Sequence, residues 1–156
     1  MKVAPVPAPD DVRAAVAELS ERTGLRFTVS SVPVGGTELF VVWAAEHPLP
    51  DRYTASSGIL GFRVPRNFPD AAPEDCFFLR PQDLKLKTND PVRLSPDINR
   101  ASVSQDFCTG TELDGGGVLV FSWHIWNKVP WNRRKHTLID HYTHCVRRFD
   151  EPEHDR

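Results

Sequence analysis

Pro65, Pro69 and Pro73 frame the stretch Arg66 to Leu79, RNFPDAAPEDCFFL, and this stretch constrains the fold more than any other part of the chain. Proline fixes φ near about −65° and lacks the N–H that a sheet ladder needs, and it pushes the residue before it toward extended backbone. An apolar strand entering this stretch must leave its sheet, turn a corner and return at a set angle as the next strand, Cys-Phe-Phe-Leu. The whole chain carries 14 prolines in 156 residues, nearly twice the average share of about 5%. That load favours turns, edge strands and extended loops over long helices.

Elements on either side of the corner are legible from period and punctuation. Residues 1–9 read as a proline-rich lead. "DDVRAAVAELSERTG" predicts a helix with an acidic N-cap at Asp10 or Asp11, an apolar stripe of Val12, Val16 and Leu19, and Gly24 just past its end. "LRFTVSSV" alternates, with Leu25, Phe27 and Val29 on one face, and predicts a half-buried strand. Gly35-Gly36 marks a hairpin, and the continuously apolar "LFVVWAA" (residues 39–45) reads as a central strand. After a loop, "ILGFRVP" supplies a third strand with Leu60, Phe62 and Val64 on one side, and the corner leads to a fourth.

From Arg80 to Gly117 the pattern turns polar and irregular, and a stretch so long in a compact domain signals function or disorder. "GVLVFSWHIW" restores apolar character. "RRKHTLIDHYTHCVRRF" predicts a closing helix with Leu138, Tyr142, Cys145, Val146 and Phe149 on its buried face. Consecutive strands flanked by helices predict an α+β domain over residues 10–150, built on a four-stranded antiparallel meander and followed by a charged tail at 151–156.

Composition narrows the classes further. At 40% hydrophobic and 26% charged, with net charge −2, the chain reads as one ordinary globular domain. Nothing global calls for a polyanion partner. No stretch approaches the about 20 apolar residues of a membrane span, and no signal-peptide core is present, so the expected compartment is the cytoplasm. Three widely spaced cysteines, Cys76, Cys108 and Cys145, argue against a disulfide framework.

Local chemistry offers several candidates. Cys145, on the apolar stripe of the last helix, and Cys76, at the head of the fourth strand, read as packed residues. Cys108 lies in the irregular region, where an accessible thiol would sit. His136, His141, His144 and Cys145 suggest zinc, but zinc takes four ligands and no second Cys/His pair completes the set, so neither metal nor cofactor is expected. "WHIWNKVPWNRRKH" interleaves Trp123, Trp126 and Trp131 with Lys128, Arg133, Arg134 and Lys135. Such a segment either stacks nucleic-acid bases and contacts phosphates, or buries its tryptophans and leaves the charges as a solvated helix start.

The element order and the corner together resemble the ubiquitin-conjugating (UBC) superfamily. Phe68-Pro69-Asp70-Ala71-Ala72-Pro73 is similar to that family's Tyr-Pro-x-x-Pro-Pro turn, with Phe68 for the tyrosine and Ala72 departing from one proline. Trp131 followed by Thr137-Leu138 resembles the tryptophan and helix start beyond the family's active site. More narrowly, "FSWHIWNKVPW…TLIDHYTHCVRRF" looks like the bacterial branch called prokaryotic ubiquitin-conjugating-like family E. The likeness runs from about residue 11 to 150.

The resemblance implies a thioester carrier, or a non-catalytic relative, acting with a ubiquitin-like protein and its activating enzyme. Two registers place the active site differently. In one, Cys108 is the nucleophile and Ser95-Pro96-Asp97-Ile98-Asn99 resembles the family's His-Pro-Asn-Ile segment, with Asn99 as the oxyanion donor because ionised Asp97 cannot donate. In the other, counting back from Trp131 lands on Trp123-His124. The domain then lacks a thiolate and binds its partner through residues 123–131, with His124 as base or as a shape-reading side chain.

Overall fold

The computed structural model describes residues 7–31, 39–51, 53–80, 84, 101–122, 126 and 129–150. They form an α+β fold with one antiparallel sheet and two helices. In chain order these are α1 (Asp10–Thr23), β1 (Phe27–Val29), β2 (Leu39–Pro48), β3 (Ser57–Pro65), β4 (Cys76–Arg80), β5 (Ala101–Ser104), β6 (Val118–Ser122) and α2 (Leu138–Asp150).

Helix α1 forms where the apolar stripe predicts it, and Val12, Val16 and Leu19 are buried. Its start differs from expectation. Pro9 occupies the N-cap position without a side-chain cap bond, and Asp10 and Asp11 lie inside the first turn, where their charge complements the helix dipole. Gly24 closes the helix at φ 72°, a left-handed conformation, and its N–H reaches Ser20 O at 3.0 Å. The proline-rich lead is not wholly outside the body, since Ala8 is buried in the core.

The sheet order is β1-β2-β3-β4-β6-β5 with every pairing antiparallel. The first four strands follow the expected meander. Beyond them the four-strand expectation is corrected: the sheet has six strands, and part of the supposedly irregular 80–117 region is strand. Phe77, Phe78 and Leu79 of β4 are all buried, so β4 needs a neighbour on its second edge. The apolar run Val118–Ser122 supplies one, with Phe77 opposite Phe121. Its antiparallel partner β5 is too short and too polar (Ala-Ser-Val-Ser) for a period to show in the sequence.

Strand β2 also runs further than its apolar run suggests. A bulge between Ala44 and His47 lets His47 and Pro48 pair with Gly58 and Ser57 across what read as loop. Ser30, placed by alternation on the polar face of β1, is fully buried. Its hydroxyl accepts from Val41 N–H at 3.0 Å while its own N–H reaches Val41 O at 2.8 Å, so its polar groups are satisfied at the strand end. The Gly35-Gly36 hairpin lies outside the described residues.

Side chains alternate across the sheet. One face (Phe40, Val42, Leu60, Phe62, Phe77, Phe121) packs on both helices in the main core. The other face (Val41, Trp43, Phe78, Val118) forms a second, smaller core with Phe107, Cys108 and Leu113 from the β5–β6 connection.

Helix α2 begins at Leu138, five residues after the first arginine of the predicted segment; Arg133, Arg134 and Lys135 are in a turn before it. A capping box sets the start. Thr137 Oγ1 accepts from Ile139 N–H at 3.2 Å, and Asp140 Oδ2 accepts from Thr137 N–H at 2.7 Å. Leu138 and Cys145 are buried, with Tyr142 and Val146 half-buried against the core. No helix among the described residues is long and apolar enough to cross a membrane.

Candidate functional site

Three features bear on function: a ring cluster at the start of α2, a groove beside it, and the surroundings of the three thiols. The ring cluster centres on Trp126, which is buried. Trp131 meets it edge-on with centroids 4.8 Å apart, and His136, His141 and His144 surround it at 4.9, 6.2 and 5.8 Å. Trp126 Nε1–H donates to His141 Nδ1 at 3.1 Å. Nδ1 must then be the acceptor, so neutral His141 carries its proton on Nε2, a buried atom without a hydrogen-bond partner. Complete burial lowers the His141 pKa to about 3, with the neighbouring His144 adding to the effect. His144 is lowered too, mainly by burial, with Asp140 opposing and Arg147 and His136 contributing.

This cluster fastens the β6–α2 connection to the proline corner. Trp131 Nε1–H donates to Pro69 O at 2.8 Å, and its ring packs on buried Phe68 with centroids 5.6 Å apart. The Phe68-Pro69 peptide is cis, and Pro73 is buried behind it. Turned inward in this way, Trp126 has no free indole face on which a base could stack. Arg133, from the same basic run, is ion-paired with Asp70.

Beside the cluster lies a groove of about 250 Å³. Asp11, Ala14 and Glu18 of α1 form one wall, Phe68 and Pro69 the base, and Arg133, His136 and the first residues of α2 the other wall. His136 Nδ1 accepts from Asn132 N–H at 3.0 Å, which places the proton of the neutral ring on Nε2.

None of the three thiols is an exposed thiolate. Cys108, expected to be accessible, is 2% exposed, packed in the second core. Burial pushes its pKa up to about 11 even though Arg80 and Arg63 favour the thiolate. Cys76 is half-buried and donates to Glu74 Oε1 at 2.9 Å, and its pKa is raised by burial and by that carboxylate. Cys145 is in the main core and raised by burial. Asn99, Trp123 and His124 lie outside the described residues, as do Ser95, Asp97 and Lys128. Among the described residues no three His, Cys, Asp or Glu side chains converge on a point where a metal could be held.

Several contacts were not anticipated from sequence. Buried His47 donates from Nδ1 to Pro48 O at 2.8 Å and, in that tautomer, accepts the Tyr142 hydroxyl at Nε2 at 2.6 Å, tying β2 to α2. Arg63 pairs with Glu74 and lies 3.9 Å from the Phe107 ring centroid. The bulge that moves His47 inward has no signature in a loop rich in proline and polar residues. No protein-family model, no curated protein and no solved structure matches the chain.

Proposed function

We propose that the chain is a UBC-like docking module in a bacterial ubiquitin-like protein modification pathway, binding the ubiquitin-like protein or its activating enzyme without carrying the acyl group itself. The observation that carries this reading is the state of the thiols. Acyl transfer to sulfur needs a thiolate that can reach the incoming carbonyl. Cys76, Cys108 and Cys145 are the only cysteines in the chain; Cys108 and Cys145 are buried, Cys76 is half-buried against Glu74, and burial raises the pKa of all three.

The antiparallel meander, the proline corner and the Trp131–Thr137 helix start are the features the resemblance rests on, and two of them, the corner at Phe68-Pro69 and the helix start at Thr137-Leu138, line one open groove together with α1. Arg133, His136 and the start of α2, which form one side of that groove, follow directly on residues 123–131, the segment that the second register assigns to partner binding. A groove with an aromatic base and charged rims suits a protein partner that inserts an apolar side chain between polar contacts.

A charging assay separates this reading from the carrier reading. The purified chain is mixed with the cognate activating enzyme, the ubiquitin-like protein and ATP, then resolved without reductant. The expected result is complex formation with no thiol-reducible adduct on the chain, retained in Cys108→Ala and weakened in His124→Ala. A reducible adduct that disappears in Cys108→Ala establishes the carrier instead.

A further inference from the structure

The connection between β5 and β6, residues 105–117, closes over the sheet face opposite the helices, and it holds its own shape. Thr109 N–H donates to Asp106 O at 3.2 Å, Thr111 N–H to Cys108 O at 3.1 Å and Asp114 N–H to Thr111 O at 3.1 Å. The Thr111 hydroxyl donates to Cys108 O at 2.6 Å and accepts from Leu113 N–H at 3.2 Å. Gly110 N–H donates to Asp114 Oδ2 at 3.1 Å. These bonds all lie within the segment, so lifting it off the sheet would break none of them.

Its attachment to the sheet is of a different kind. Phe107, Cys108 and Leu113 are the apolar anchors in the second core, while Thr109, Gly110, Glu112, Asp114 and Gly115 are exposed. The polar attachment comes from the end of β4, where Arg80 donates to Leu113 O at 2.8 Å and to Gly116 O at 2.9 Å. From β3, the Arg63 guanidinium lies against the Phe107 ring. At its start Asp106 N–H donates to Ser104 Oγ of β5 at 3.3 Å, and a segment whose turns are otherwise closed by its own hydrogen bonds is the kind of unit that opens below the global unfolding free energy.

We propose that residues 105–117 form a strap that opens as a unit while the sheet stays folded, that Arg80 is its latch, and that this opening is what uncovers the Cys108 thiol. Closed, the strap keeps that thiol neutral and unreactive. Open, it removes the burial that holds the proton on. Cys145 lies in the core on the other face, beneath the helices, so strap opening leaves it covered. The strap and the docking groove are built from different residues.

Alkylation with iodoacetamide under native conditions, read residue by residue by mass spectrometry, tests the strap. In the unmodified chain Cys108 is expected to react about tenfold or more faster than Cys145, at a rate nearly independent of urea below the unfolding transition, because local opening exposes little surface. Arg80→Ala removes two charge-assisted hydrogen bonds and is expected to speed Cys108 labelling by about tenfold while leaving the Cys145 rate within about twofold. Gly116→Ala approaches the latch from the other side, since a Cβ there would come within 2.9 Å of Arg80 Nη2, and it should act in the same direction. If Cys108 and Cys145 react in step, with the same urea dependence in the unmodified chain, there is no strap, whether or not the variants fold. Equal acceleration of both cysteines in Arg80→Ala would also overturn the latch.

Discussion

Trp126→Ala is expected to cost about 3–5 kcal/mol of folding stability, the range for truncating a large buried aromatic side chain. The loss has two parts. Removing the indole leaves Trp131, His136 and His144 without the ring they pack around, and it leaves His141 Nδ1 as a buried acceptor without a donor. Trp126→Phe separates the parts by keeping apolar volume while deleting only the N–H. It should cost clearly less, on the order of 1–3 kcal/mol. Urea unfolding of both variants measures this. An unfolding free energy for Trp126→Ala lowered by less than about 1 kcal/mol would mean that the ring cluster does not hold the β6–α2 connection in place.

Acid is expected to destabilise the fold through the same cluster. The His141 pKa is about 3 in the folded chain, whereas an unfolded histidine titrates near about 6.5. The unfolded state therefore binds the proton first as pH falls. The stability contributed by neutral His141 is fully present above pH ~6.5, declines by about 1.4 kcal/mol per unit below it and is lost by pH ~3. His144, also lowered, acts in the same direction. His141→Asn retains an acceptor for Trp126 Nε1–H but cannot titrate. Unfolding free energies measured between pH 7 and 4 should fall less steeply in His141→Asn, by about one proton's slope. Parallel curves would show that His141 takes up its proton in the folded state as readily as in the unfolded one.

Much of the fold was legible because it was written in strong periods. The α1 stripe, the β3 face of Leu60, Phe62 and Val64, and the apolar run of β4 each repeat often enough to fix an element and its buried side. Strand β5 has four residues with one apolar side chain between serines, so it is specified by its partner β6 and not by itself. The bulge at Ala44–His47 is a tertiary solution that carries a buried histidine to Tyr142, and nothing local announces it. The start of α2 was read in two places, at Arg133 from the apolar period and at Thr137-Leu138 from the resemblance, and the helix begins at the second. Thr137 followed by Asp140 three residues later spells the capping box, while the basic run before it drew the boundary upstream.

The site was less legible for a physical reason. Reactivity of a cysteine depends on what covers it, and Cys108 stands in a polar, irregular stretch that looks open in sequence. Its cover comes from its own neighbours, Phe107 and Leu113, seated on Trp43 and Phe78 by a guanidinium from Arg80, thirty-three residues from Leu113 in sequence. Trp126 and Trp131 presented the opposite case. They look like a binding surface beside basic residues, but Trp126 is buried and Trp131 is half-buried, each donating its N–H inside the fold.

Binding of the ubiquitin-like protein and of the activating enzyme to Ala14→Arg tests the central claim most directly. Ala14 is exposed on α1 and lines the groove, so the arginine fills the groove without entering the core. Titration by calorimetry should show at least about tenfold weaker binding for this variant, with an unchanged unfolding midpoint, and full affinity for Cys108→Ala. Unaltered binding in Ala14→Arg together with loss in Cys108→Ala would contradict docking through the groove and return the function to the thiol.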